Sequence, residues 1–277
     1  SALAYGLSDF VGGLVSRRAS AWPVAVVGQL SATFCTALVA LSVAGAPDGS
    51  DYAWAVLAGL GSGVGTGFLY RGFAAGRMGV VAPISAVGAA LVPVAAGALG
   101  GERFSLVVWA GIVLALPGIW LVSSSAEELP ADGAPAQPRA SVAEGVVDGA
   151  LAGLGFGLLF AALGQVPEEA GLWPLALAQA VSLPVVVLLA TGLGAAWLPR
   201  QRSAWWALVA GPLGAGATWA FLVATQSGYL TVAGVLTSLY PATTVLLAAI
   251  LLHEKVHRAQ GVGLGLCAVA IGLVAGG

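Results

Sequence analysis

Residues 54–68 read WAVLAGLGSGVGTGF, and residues 206–220 read WALVAGPLGAGATWA. Laid over each other at an offset of 152, they put Trp54 on Trp206, Gly59 on Gly211 and Thr66 on Thr218. The register continues without a gap through Gly76 on Gly228, Val80 on Val232 and Leu99 on Leu251. It goes on to Glu102 on Glu254, Arg103 on Lys255, Gly111 on Gly263 and Ile119 on Ile271. At an offset of 151, Trp22-Pro23 falls on Trp173-Pro174. Glycine matches come cheaply in a chain with 41 glycines, whereas the Trp, Trp-Pro and Glu-basic matches do not. One register held over three helix-length stretches indicates an internal duplication.

The 277 residues are 59% hydrophobic and 8% charged, with a net charge of −2. A soluble domain carries about 25% charged residues, so this chain cannot cover itself in water. That excludes an ordinary cytosolic enzyme and a disordered chain. Without a basic stripe, nucleic acid has no electrostatic footing. Cys35 and Cys267 each sit in an apolar run, so neither a disulfide framework nor a metal knuckle follows, and no cofactor is expected.

A helix that crosses a bilayer takes about 20 mostly apolar residues. That ruler predicts ten spans, near 1–15, 23–44, 52–73, 79–99, 104–123, 143–165, 172–194, 204–226, 230–252 and 259–276. The first is short and opens on Ser1, so part of that helix is expected to precede it. Asp9 and the lack of a basic leader make a cleaved signal peptide a poor reading of it. Most breaks are short turns. The exception is 124–141, a hydrophilic linker with Glu127, Glu128, Pro130, Asp132, Pro135, Pro138 and Arg139. It divides the chain into five-helix repeats over 1–123 and 142–277.

Five is odd, so the second repeat must enter the membrane from the other side. The expected fold is an all-α polytopic membrane protein of ten transmembrane helices in two inverted five-helix repeats, a recurrent design of secondary transporters. The repeats should form two bundles about a pseudo-two-fold axis in the membrane plane.

Over essentially its whole length the chain resembles the EamA-type branch of the drug/metabolite transporter superfamily. The resemblance rests on the two five-helix repeats and on the acidic turns Gly101-Glu102-Arg103-Phe104 and His253-Glu254-Lys255-Val256. Tyr240-Pro241 and the closing Gly263…Gly272-Leu273-Val274 helix add to it, and Ala4 to Gly13 is similar to one bacterial subgroup. The first repeat departs from the pattern, with Ala89 where the second has Pro241. The resemblance implies transport of a small metabolite, usually export, and leaves the substrate open.

Asp9 is the sharpest candidate for chemistry. A carboxylate at membrane depth is costly unless it faces a cavity or a partner, so it commonly marks a pathway or a proton relay. The alternative is a packing hydrogen-bonder or an interfacial residue. Gln29 and Gln179 occupy nearly corresponding places in the two repeats, where they would either bind a polar substrate or join helices. Trp219 and Tyr240, with Thr225, Gln226 and Ser227 nearby, form a mixed aromatic and polar group suited to an amphipathic substrate. The substrate-binding set is therefore Asp9, Gln29, Gln179, Trp219 and Tyr240, with Asp9 also coupling to protons.

Other residues read structurally. Trp54, Trp205 and Trp206 open spans and suit an interfacial belt. Glu102 and Glu254 are expected to cap the helices that follow them. Arg71 would snorkel to the interface and Asp148 lie there too. The spaced glycines 59, 63, 67; 149, 153, 157; and 261, 265 read as helix-packing faces. Gly61-Ser62-Gly63-Val64-Gly65 lacks the strand a phosphate loop requires.

The reading is a secondary transporter that exports a small metabolite or an amphipathic drug-like compound by alternating access. The alternative is a membrane scaffold or a lipid-processing subunit, which would gain nothing from inversion. The expected partners are a small-molecule substrate and the bilayer. Nine Arg to one Lys, with abundant Ala and Gly, points to a GC-rich bacterium and its plasma membrane. Orientation divides the signals. Arg17, Arg18, Arg71, Arg77, Arg139, Arg200, Arg202, Lys255 and Arg258 fall on one set of loops and Arg103 alone on the other. Cationic loops stay cytoplasmic, which puts both termini outside, while the resemblance implies both inside. The size of the charge excess favours the former.

Overall fold

The computed structural model describes residues 1–16, 19–75, 78–123, 142–251 and 256–276, and every regular element among them is helical. In hydrocarbon, backbone polar groups must be satisfied within the segment, and a helix does this locally. The first half supplies α1 (Ala2–Ser16), α2 (Ala21–Ala40), α3 (Gly49–Ala74), α4 (Met78–Leu99) and α5 (Leu106–Ser123). The second supplies α6 (Val142–Leu163), α7 (Trp173–Gly192), α8 (Ala210–Ser227), α9 (Leu230–Thr237), α10 (Tyr240–Leu251) and α11 (Arg258–Gly276). Eight segments are long and apolar enough to cross a membrane; Arg258–Val274 is a shorter apolar helix. The expected linker over 124–141, the His253-Glu254-Lys255 turn, Gly76 and the cations Arg17, Arg18, Arg77 and Arg139 lie outside the described residues.

Two spans depart from single α-helices, and proline explains both. The eighth begins as a 3₁₀ segment, Arg202–Leu208, before α8. Pro212 has no N–H for the Leu208 carbonyl four residues back, and Ser31 Oγ donates to that carbonyl at 2.8 Å instead. The ninth breaks into α9 and α10 just before Pro241, which withholds an N–H from Thr237 and disfavours helical geometry at Tyr240. The matched position in the first half is Ala89, where α4 runs on unbroken.

The halves do not sit side by side as two separate bundles. The main partners of each helix lie in the other half: α3 packs on α6 and α7, α1 on α8 and α10, α2 on α7 and α8, α4 on α6 and α9, and α5 on α11. Contacts recur with the halves exchanged. A Cβ on Gly111 would meet Ala270 O, Leu273 and Val274. One on Gly263 would meet Gly118 O, Leu121 and Val122, each 152 residues from its counterpart. Gly59 meets Ala178 and Val181, as Gly211 meets Gly28 and Ser31.

Glycines set these approaches. Gly59 and Gly63 of α3 face α7, while Gly61 and Gly65 face α6. On α6, Gly149, Gly153 and Gly157 face α4. The pair Gly261 and Gly265 corrects the expected packing face, since nothing lies within 4 Å of either. Gly263, two residues along and so turned well round the helix, is the one pressed on α5.

Glu102 also departs from expectation. Gly101, at φ +88°, ends α4 in a left-handed turn, with Glu102 N–H bonded to Gly97 O at 3.0 Å and Gly101 N–H to Ala98 O at 3.2 Å. That turn aims the Glu102 carboxylate at the other half. Its two oxygens accept the N–H groups of Leu230 at 2.6 Å and Thr231 at 3.1 Å, capping α9. The helix that follows Glu102, α5, takes its cap from Ser105. Glu102→Ala should cost about 1–2 kcal/mol through loss of a charged cap. The thermal midpoint in detergent checks this; Glu102→Gln should recover part of the loss, and two unchanged midpoints would assign the cap no weight.

Asp48 caps α3 reciprocally with Asp51: Asp48 Oδ1 accepts from Ser50 N at 2.7 Å and Asp51 N at 3.0 Å, and Asp51 Oδ2 accepts from Asp48 N at 2.9 Å. The Ser50 hydroxyl and these two N–H groups hold the Asp48 carboxyl below its ordinary range.

Candidate functional site

Three buried apolar clusters surround the middle of the molecule. One is built on Leu163, Leu175 and Phe221, a second on Trp22, Leu69 and Val186, and a third on Ile112, Ile119 and Val235. Phe156 packs on the first two and Tyr5 on the first and third. Both side chains reach the central region, and Phe156 and Tyr5 line a cavity of about 90 Å³ there. Its walls come from α1, α2 and α3 of the first half and α6, α7, α8 and α10 of the second.

Asp9, Gln29, Gln179 and Tyr240 all line this cavity. Among the described residues no hydrogen bond or ion pair reaches the Asp9 carboxylate, and no Lys, Arg or His lines the cavity. Three tyrosines line the cavity with Asp9: Tyr5 on its own helix, Tyr70 on α3 and Tyr240 on α10. Gln29 Nε2 donates to Ser62 Oγ at 3.2 Å and Thr66 Oγ1 at 3.4 Å, so it ties α2 to α3 while facing the cavity. Its near counterpart Gln179 is 5% exposed and its amide bonds no protein group. Tyr240 is 8% exposed, and its Oη has no hydrogen bond of acceptable geometry although Ser85 lies close.

Trp219 does not belong to this wall, which corrects its expected place. It is 41% exposed, on the outer side of α8. The cavity face of α8 carries Ala210, Gly211, Gly214 and Thr218, spaced as one helical stripe, and the next residue turns by about 100°. Thr225, Gln226 and Ser227 are also absent from it; each bonds a backbone carbonyl, at Leu222, Val166 and Val223.

Several lining residues had no place in the sequence-based set: Tyr5, Ser62, Thr66, Tyr70, Phe160 and Thr218. A signal for two of them was present. Thr66 and Thr218 match at an offset of 152, and both line this one cavity. Thr218 joins α1 to α8: it donates to Gly214 O at 2.8 Å and lies 2.7 Å from Tyr5 Oη. With its proton spent, the hydrogen of the second bond comes from Tyr5. Ser8 makes a further link, donating to Ala210 O at 3.0 Å.

Arg71 and Asp148, expected singly at the interface, form an ion pair between α3 and α6. Arg71 Nε lies 2.9 Å from Asp148 Oδ1, and a second guanidinium nitrogen also contacts that oxygen. Asp148 is fully buried, and Arg71 stacks on the Phe68 ring at 4.7 Å. Trp54, Trp205 and Trp206 project outward, as a belt requires. Among the described residues no three His, Cys, Asp or Glu converge.

No curated protein matches the chain. A crystal structure that shares 16% identity superposes with a TM-score of 0.68 over 99% of this chain and 98% of that one, a likeness of fold. Residues 144–276, the second half of the molecule, match the model of the EamA-like transporter family. The chain is a multi-pass membrane protein whose second half is similar to the EamA-like transporter family of the drug/metabolite transporter superfamily.

Proposed function

We propose that this protein is a secondary active transporter that exports a small metabolite or amphipathic drug-like compound by alternating access, in exchange for protons held at Asp9. The observation that carries the reading is an unpaired carboxylate in a cavity walled by both halves. An ionisable group at membrane depth without a partner is retained at a stability cost, which suits a group whose charge changes during work. Packing contacts that recur with the halves exchanged support an inverted repeat. Two like halves in opposite orientations can trade conformations, opening the cavity to one side and then the other. A bacterial plasma membrane is the proposed location.

Reconstituted vesicles carrying a pH gradient, challenged with amino acids, nucleobases and lipophilic cations, test the proposal. Gradient-dependent movement of at least one class is expected. A protein that moves none of them in either direction is not the exporter proposed here.

The excess of cations on one set of loops supports both termini lying outside the cytoplasm. A reporter active only in the cytoplasm, fused to the C-terminus, should therefore stay inactive. Full activity would reverse the orientation.

A further inference from the structure

The hydrogen-bond inventory of the cavity goes further, and resting on the transport reading it names a substrate class. We propose that the cavity selects small organic monocations that carry N–H donors beside an aromatic or apolar body, such as protonated arylalkylamines, in preference to anions, zwitterions and fully alkylated cations.

Charge is the first reason. The Asp9 carboxylate faces the cavity without a partner, and no cation lines the described walls. A protonated amine would supply the missing countercharge. The carboxylate of an anion or a zwitterion would meet Asp9 with nothing to balance it, in a low-dielectric setting where like charges repel strongly.

Donors and acceptors give the second reason. Ser8 spends its proton on Ala210 O, Thr218 on Gly214 O and Tyr5 on Thr218. Gln29 spends its N–H groups on Ser62 and Thr66, which leaves its carbonyl oxygen free to accept. The Asp9 carboxylate and Gln29 Oε1 stay open as acceptors, the Ser62 and Thr66 hydroxyls keep their protons, and the Tyr70 and Tyr240 hydroxyls and the Gln179 amide can accept as well as donate. A ligand rich in N–H satisfies the acceptors of that set, the charged Asp9 carboxylate first. A quaternary ammonium satisfies the charge alone.

The third reason is the aromatic wall. Tyr5 meets Phe160 edge-on at 5.8 Å and Tyr240 at 6.3 Å, and Tyr5, Tyr70 and Tyr240 line the same cavity as Asp9. Ring faces near a carboxylate attract a cation and accept an apolar body.

The test is equilibrium binding to the purified full chain in nanodiscs at a single pH. The probes share one phenyl body: phenethylamine, phenethyl alcohol, hydrocinnamate, phenylalanine and trimethylphenethylammonium. Phenethylamine should bind about tenfold or more tightly than each of the others, the scale of a charged hydrogen bond. Asp9→Asn should weaken it by a similar factor, and Asp9→Glu, which keeps the charge, should retain most of the affinity. If Asp9→Asn does not stay monodisperse, the ranking of the five probes on the wild-type protein decides alone. The proposal is overturned if hydrocinnamate, phenylalanine or the trimethyl compound matches the amine, if Asp9→Asn leaves amine binding unchanged, or if no probe binds. Amine binding without any vesicle transport would sink the transport reading and leave this one standing. Transport of other solutes without amine binding would do the reverse.

Discussion

Asp9→Asn is expected to abolish uptake driven by a pH gradient while leaving a protein that melts higher than the wild type. The two effects have one cause. An aspartate near the centre of a transmembrane helix costs about 2.5–3.5 kcal/mol on insertion scales, and among the described residues no partner offsets that cost. Solvent in the cavity relieves part of it, so the neutral amide should stabilise the fold by about 1–2 kcal/mol. The amide cannot take up or release a proton, so gradient-driven transport should fall by at least about 100-fold, the usual consequence of removing an acid-base group. Vesicle uptake with and without the gradient, beside a melting curve in detergent, measures both. Undiminished gradient-driven uptake would remove Asp9 from the coupling. A lower melting point would assign the carboxylate a structural bond.

Gly155→Val should be the most damaging single change to the fold. A Cβ on Gly155 would meet Gly65 N at 2.5 Å, Gly61 O at 2.7 Å and Gly65 Cα at 2.8 Å, and all three are backbone atoms. No rotamer change can make room, so α3 and α6 would have to separate along the seam that joins the halves. Overpacking of this kind typically costs 1–3 kcal/mol and more where backbone cannot yield, so a loss of about 3 kcal/mol or greater is expected. Gly265→Val serves as the control, because nothing lies within 4 Å of that position. Size-exclusion profiles and melting curves should show Gly155→Val largely aggregated and Gly265→Val close to wild type. Equal behaviour would mean that α3 and α6 approach less closely than described.

The helices were legible because the bilayer imposes a length, and apolar stretches of that length stand out whatever surrounds them. Their interruptions were less so. Pro241 was visible, but whether it kinks a helix or ends one depends on what receives the freed carbonyl. Pro212 is met by Ser31 from another helix, a partner that no reading of the eighth span could reveal. That Asp9, Gln29, Gln179 and Tyr240 lie on helices was readable. Which way a side chain faces was not, and Trp219 turned outward while its neighbour Thr218 turned in.

Long-range pairings show the same division. Arg71 and Asp148 are 77 residues apart, and Glu102 is 128 from the Leu230 N–H it caps. Composition and spacing identified each as a polar group in need of a partner, since unpaired charge in hydrocarbon is costly. Neither could identify the partner, because that depends on which helices the packing brings together.

By itself, then, the order of residues determined the apolar lengths, the register of matching residues at an offset of 152 and the polar positions that membrane burial makes expensive, all of which follow from local composition and spacing. The tertiary structure alone decided that the halves interleave, that Glu102 caps α9 rather than α5, and that the Asp9 carboxylate is left open to a cavity. Those outcomes depend on close packing between distant helices, where one glycine or one turn of 100° changes which groups meet.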